Sequence, residues 1–245
     1  MIQILVAFHK TFPHSKDPLF LNVHVGKKNS LSQLGFSGDD TGENISLMNS
    51  SFCELTGLYW WWRNGELPEV VGLSHYRRYF DFSNAWWRPK RKQRSKKARG
   101  YDFDQLAELH RNKILLLLDT HDIILPIATD LKESIKEHYL HSHIEADWHV
   151  LMDVVQHLHP SYDVDFFNRT RNMYEFNMFI CKKEIFEKYM EWLFPILFET
   201  SKRISLQDHP YQKRVIGFMA ERLLNLYVFQ NDLRIRSVPV LYFTD

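Results

Sequence analysis

The 245-residue sequence has only two cysteines, Cys53 and Cys181. That excludes a disulfide framework and fits a reducing, cytoplasmic compartment. Glycine and proline are sparse, nine each, which excludes a collagen-like fibre and a linker-rich chain. No apolar run approaches the roughly 18 residues that read as a membrane span. The first one, residues 2–8, ends at His9-Lys10 and has no basic residue before it. It is expected to be a β-strand and not a signal peptide. Charge of one sign is also lacking, since the formal net charge is +1. The sequence contains no GxGxxG, GxxxxGK[ST], HExxH, GxSxG or CxxC. Those absences argue against a dinucleotide dehydrogenase, a P-loop NTPase, a zinc protease and an α/β-hydrolase.

Aromatic residues are abundant at 15%, enough to build a core and also to stack on sugars or bases. The balanced charge hides one asymmetry. Residues 88–99 (RPKRKQRSKKAR) hold eight basic residues and no acid, so a mildly acidic body carries a basic insert at about 86–100. With Trp86-Trp87 beside it, this insert is a candidate peripheral contact for an anionic membrane. The plainer reading is a solvated loop. One basic run in an otherwise acidic chain is not a nucleic-acid footprint.

Strand-like and helix-like patterns alternate along the chain. Strands are expected at residues 2–8, 20–25, 69–73, 122–126, 174–181 and 235–243. Helices are expected at 45–62, 106–118, 130–159, 183–198 and 213–229. In the first helix Ile45, Met48, Phe52, Leu55, Tyr59 and Trp62 recur every three or four residues. The alternation predicts an α/β fold with a mostly parallel central sheet flanked by helices, one domain spanning 1–245. Such sheets bind ligands beyond the carboxyl ends of their strands, so residues that follow strands are the candidates for function.

The strongest local signal is Ser74-His75-Tyr76-Arg77-Arg78 after the apolar EVVGL. Paired guanidiniums at a strand end suit a pyrophosphate, which each can grip in a bidentate fork. The alternative is two surface arginines paired with carboxylates. His9 and Lys10 end the first strand and are candidates for a nucleotide edge or phosphate. The loop before the first helix offers Asp39, Asp40, Gly42 and Asn44 as ribose or anion contacts, or as ordinary turn chemistry. Asp147, Glu175 and Glu221 are the candidate general bases, with Asp147 favoured because Trp148 beside it lies on a buried stripe. Six histidines between His138 and His159 fit no zinc spacing. Asp102-Phe103-Asp104 and Asp163-Val164-Asp165 match Asp-x-Asp but follow no apolar strand.

Taken in order, several motifs resemble one family. They are His9-Lys10, DDTGENIS at 39–46, CELTGLYWWWRN at 53–64, VGLSHYRRYF at 71–80, ADW at 146–148, FNMFICKKEIF at 176–186 and GFMAERLL at 217–224. The chain resembles the bacterial capsular and exopolysaccharide glycosyltransferases with the HYRRYF motif, long catalogued as a domain of unknown function. The resemblance implies a GT-A-like fold, a nucleotide-sugar donor and transfer to a growing surface polysaccharide, capsule or O-antigen, at the inner face of the membrane. A UDP-hexose of galactose type, pyranose or furanose, is the expected donor, and a lipid-linked glycan the expected acceptor. The Asp-x-Asp of such folds is replaced here by the SHYRR run. Arginines, and not Mn or Mg, are therefore expected to neutralise the departing diphosphate.

In that reading Arg77 and Arg78 stabilise the leaving group, and Asp147 takes the acceptor proton. His9, Lys10, Asp40, Gly42, Asn44, His75 and Tyr76 hold the donor, while Asn177, Trp148 and Glu175 orient sugars. Two other classes remain open: a non-catalytic carbohydrate- or polyanion-binding module, and a phosphate-processing enzyme such as a nuclease.

Overall fold

A computed structural model of the chain describes residues 1–83, 92–206 and 208–245. Its elements run β1 (Ile2–Phe8), β2 (Phe20–His24), α1 (Asn49–Phe52), α2 (Leu55–Asn64), β3 (Val70–His75), β4 (Arg78–Phe80) and β5 (Gln93–Lys97). There follow α3 (Phe103–Leu118), β6 (Ile123–Pro126), β7 (Thr129–Asp130), α4 (Ile135–Ser142), α5 (Glu145–Leu158), α6 (Phe166–Arg169) and β8 (Asn172–Met173). The chain closes with β9 (Phe179–Lys182), α7 (Lys183–Arg203), α8 (Val215–Gln230), β10 (Ile235–Val238) and β11 (Val240–Thr244).

Nine strands form one sheet in the order β10-β6-β9-β3-β4-β11-β5, with β1 paired to β3 and β2 to β1. The sheet is mixed and not mostly parallel: β1 with β2 and β3, β6 with β10, and β5 with β11 are parallel, while β3 with β4 and β9, β6 with β9, and β4 with β11 are antiparallel. The antiparallel pairs arise because β9 threads between β3 and β6 and β4 folds back from β3. At the β3–β9 seam a Cβ on Gly72 would lie 2.8 Å from the Phe179 carbonyl oxygen, so glycine is what lets the two strands close.

β1 is apolar on both faces because both are covered. Its Leu5 and Ala7 enter a core with α2, α5, α7 and α8, while Ile4, Val6 and Phe8 enter one with α3. Among the described residues no helix is long and apolar enough to cross a membrane.

Four further expectations change in the structure. The helix expected at 45–62 is broken at Cys53, whose φ is 52° and ψ −131°. The region 130–159 is two helices, α4 and α5, with His143 ending the first. Only the end of 174–181 is strand, because Phe176 and Asn177 take positive φ, 77° and 54°. The closing strand is split at Pro239, which has no N–H for a ladder, so β10 pairs with β6 and β11 with β4 and β5. Within the basic insert Gln93–Lys97 is β5, the last strand of the sheet order, while Trp86-Trp87 lie outside the described residues. Asp102 caps α3, accepting from the Asp104 and Gln105 N–H groups.

The second core contains a buried titratable group. His110 is fully buried between Phe20 and Phe82, and its Nδ1 donates to the Leu106 carbonyl at 2.8 Å. Burial drives its pKa from 6.5 down to about 4. Between those values the unfolded chain takes up a proton that the native form refuses, so stability falls as pH falls. His110→Phe is expected to remove about 2 kcal/mol of the stability difference between pH 7.5 and pH 5. Urea unfolding at the two pH values checks this, and an unchanged difference contradicts it.

Candidate functional site

The carboxyl ends of β1 and β3 open into a cleft of about 650 Å³. Four pieces of chain close it: the kink at Cys53-Glu54, the β3–β4 hairpin, the turn before β9, and the start of α8.

The kink brings in a carboxylate. Asn49 Nδ2 donates to the Cys53 carbonyl at 2.7 Å and to Thr56 Oγ1 at 3.1 Å, bracing the break. Gly217 of α8 packs on the far side, where a Cβ would come 3.0 Å from Cys53 Sγ. A non-glycine residue in this conformation costs about 1–3 kcal/mol and persists only where its surroundings hold it. The result is that Glu54, which would lie on a continuous helix surface, lines the cleft. Asn177, 4% exposed, donates its Nδ2 to Glu54 Oε1 at 2.7 Å and orients it.

His75 ends β3 beside Glu54. Its Nε2 donates to the Phe176 carbonyl at 2.6 Å, since a carbonyl can only accept. Burial lowers its pKa, with Arg78 and Arg214 acting in the same direction against Glu54. His9 follows β1 and is also lowered, by burial and then by Lys10 and Arg214. Tyr76 forms the floor, with its hydroxyl 3.5 Å from His9 Nε2.

The two adjacent arginines both line the cleft but have different partners. The hairpin turns through Tyr76 and Arg77, and His75 pairs with Arg78. Arg77 is ion-paired with Asp245 and lies over the rings of Phe12 and Tyr76. It matches the carboxylate-paired alternative. Arg78 lies 4.7 Å from the Phe176 ring centroid and 5.6 Å from that of Tyr242. Nine described arginines hold an ion pair with a carboxylate. Of the four described arginines without one, Arg99 and Arg236 lie outside the cleft, while Arg78 and Arg214 line it. Arg214 lies over Phe218, and its Nε donates to Cys53 Sγ at 3.4 Å. Burial pushes the Cys53 thiol up to about 12, so this partner carries no charge. The cleft thus holds two guanidiniums that no protein carboxylate neutralises, next to a positioned carboxylate.

Other expected site residues lie elsewhere. Asp147, 7% exposed, is in the first turn of α5 near Tyr139, and burial raises its pKa. It does not line the cleft, and Trp148 is core, packed on Tyr139 and Phe167. Glu175 is held by Lys92 Nζ at 2.6 Å and by the Thr129 hydroxyl. Lys10 is exposed, 5.9 Å from the Tyr76 ring. Asp40 faces Lys27 at 3.6 Å, and Asn44 bonds Gly42 and Ser46 within its own loop. Asp40, Gly42 and Asn44 do not line the cleft. Glu54 and Arg214 were missed from sequence. Gly217 and Gly57 inside helical patterns were the available signal, since such glycines mark close approach.

The family model for a domain of unknown function, DUF4422, matches residues 3–232. The chain belongs to the DUF4422 family. Its structure is also similar to the apo structure of the bifunctional glycosyltransferase WbbM, with a TM-score of 0.90 and 32% sequence identity. The similarity covers all of this chain and 45% of that protein. No curated protein matches.

Glycosyltransferase folds with Asp-x-Asp imply a divalent cation, for which the carboxylates of this chain are the candidate ligands. Asp39 directs its oxygens at the Gly26 and Lys27 N–H groups and the Ser46 hydroxyl. Asp163 is paired with Arg169, and Asp104 accepts from Ser15. Among the described residues no three His, Cys, Asp or Glu side chains converge on one point. Among the described residues these three carboxylates are committed to protein partners.

The separation of the arginines makes a prediction for inorganic pyrophosphate. Arg78→Ala is expected to weaken its binding at least tenfold, roughly the 1.4 kcal/mol or more expected of a charge-assisted contact. Arg77→Ala is expected to change it less than threefold. Calorimetric titration of the two variants checks this, and equal losses would contradict the assignment.

Proposed function

We propose that this chain is a glycosyltransferase domain that moves a hexose from a nucleotide-sugar donor to a glycan acceptor. The observation that carries the reading is Arg78, a guanidinium set between Phe176 and Tyr242, facing the cleft without a carboxylate partner. Leaving it unpaired there is costly unless the working state supplies an anion. The similarity to WbbM, a protein described as a bifunctional glycosyltransferase, supports the same class. A glycan-binding module would need the aromatics but not two unpaired arginines beside a positioned carboxylate.

In this reading the donor diphosphate lies against Arg78, with Arg214 across the cleft. As the anomeric bond breaks, the sugar gains oxocarbenium character and negative charge gathers on the leaving diphosphate. Fixed cations stabilise that charge without reorganising. Glu54, held by Asn177, accepts the proton of the attacking hydroxyl. It takes the role first given to Asp147. His75, His9 and Tyr76 line the donor side. Because its Nε2–H is committed to Phe176, neutral His75 keeps Nδ1 as an acceptor for a sugar hydroxyl.

A uridine diphosphate donor, a galactose-type sugar in pyranose or furanose form and a GT-A-type site are the finer proposal. So is a lipid-linked acceptor of capsule or O-antigen type, met at the cytoplasmic face of the membrane. Lys96, Lys97 and Arg99 are exposed on and beyond β5 and would support peripheral contact there.

Glu54→Gln separates chemistry from binding. It is expected to lower kcat on the order of 10²-fold, within the range for general acid–base groups, with UDP affinity within threefold of wild type. Transfer kinetics and UDP titration on the same preparation check this. Unchanged kcat removes Glu54 from the reaction.

A further inference from the structure

Glu221 lines the same cleft but is not available for chemistry. One carboxylate oxygen, Oε1, accepts the backbone N–H of Phe176, and Oε2 lies 3.0 Å from Arg222 Nη1. Arg222 is 2% exposed and also donates to the Phe218 carbonyl at 3.0 Å and to His138 Nδ1 at 3.2 Å. One turn along α8, Asn225 accepts from the Tyr174 N–H at 2.8 Å and donates to the Tyr174 carbonyl at 2.9 Å. Two side chains of one helix therefore grip residues 174–176 through the backbone. The gripped segment leads straight into two left-handed residues, Phe176 and Asn177.

That turn carries three contacts on which the site depends. The Phe176 ring lies under Arg78, the Phe176 carbonyl fixes the His75 tautomer, and Asn177 holds Glu54. A bulky aromatic residue does not hold positive φ unaided. We infer that Glu221, backed by Arg222, is a positioning residue: it locks the 174–177 turn in its left-handed form and so sets both the anion seat at Arg78 and the orientation of Glu54. The inference rests on the transferase reading for its consequences, but the turn itself can be measured without substrate.

The test compares wild type, Glu221→Ala, Glu221→Gln and Val154→Ala, a core truncation in α5 remote from the cleft. Backbone amide exchange at Phe176 reads the turn, and UDP titration and donor turnover read the site. Glu221→Ala should lose Phe176 protection, weaken UDP at least tenfold and lower kcat on the order of 10²-fold. Glu221→Gln keeps an oxygen for the Phe176 N–H but turns its amide donor toward Arg222, so it should keep Phe176 protection and lose at least tenfold less kcat than Glu221→Ala. Val154→Ala should lower Tm yet leave all three unchanged. A protected Phe176 amide in Glu221→Ala overturns the inference. So does Glu221→Gln as damaged in kcat as Glu221→Ala, which would make Glu221 itself a proton-transfer group. If wild type fails to bind UDP, the transferase reading falls, while the exchange data still decide the role of Glu221.

Discussion

The backbone of Phe176 and Asn177 is the constraint from which the rest of the cleft follows. Both have positive φ, and neither is glycine. Each costs on the order of 1–3 kcal/mol that other contacts must offset. The offset comes from α8, whose Glu221 and Asn225 bind the segment and whose Gly217 carbonyl accepts from Asn177, and from Glu54, to which Asn177 also donates. If the turn relaxed to extended strand, Asn177 would leave Glu54, and Arg78 would lose one of its two aromatic neighbours.

A third positive-φ residue, Cys53, does the same for the opposite wall. The break there ends one helix and starts the next, so Glu54 lines the cleft between them. Gly217 touches both pieces of this arrangement: a Cβ on it would crowd Cys53, and its carbonyl accepts from Asn177. Positive charge is then concentrated where the strands end. Arg78 and Arg214 stay un-neutralised by protein carboxylates, whereas Arg77 is neutralised by Asp245. Two neighbours in sequence thus differ in their contacts because a tight hairpin sends them to different partners.

Much of the framework was legible in the sequence. The runs at β1, β3 and β6 and the stripes of α7 and α8 are long or apolar enough that local pattern and tertiary burial agree. The breaks were not legible. The stripe from Ile45 to Trp62 keeps its helical spacing across Cys53, because both halves bury the same side, and only packing against α8 reveals the kink. Tyr174 to Cys181 reads as strand from composition, yet Phe176-Asn177 is bent by a carboxylate 45 residues later in the chain. His9, His75, Tyr76, Arg77, Arg78 and Asn177, chosen as residues near strand ends, line the cleft. Asp147 was chosen for its aromatic neighbour, but Trp148 is core on α5 and brings Asp147 no nearer to the cleft. Glu54 was hidden because its position depends on a backbone break that no local pattern encodes.

The central claim is that Arg78 receives the diphosphate of a nucleotide donor while Glu54 faces the transferred group. The most direct measurement is a crystal structure of the chain with UDP bound. The account predicts diphosphate oxygens within hydrogen-bonding distance of the Arg78 guanidinium, with the terminal phosphate directed toward Glu54. UDP seated instead on the Asp40–Asn44 loop, or with its diphosphate turned away from Arg78, would contradict it.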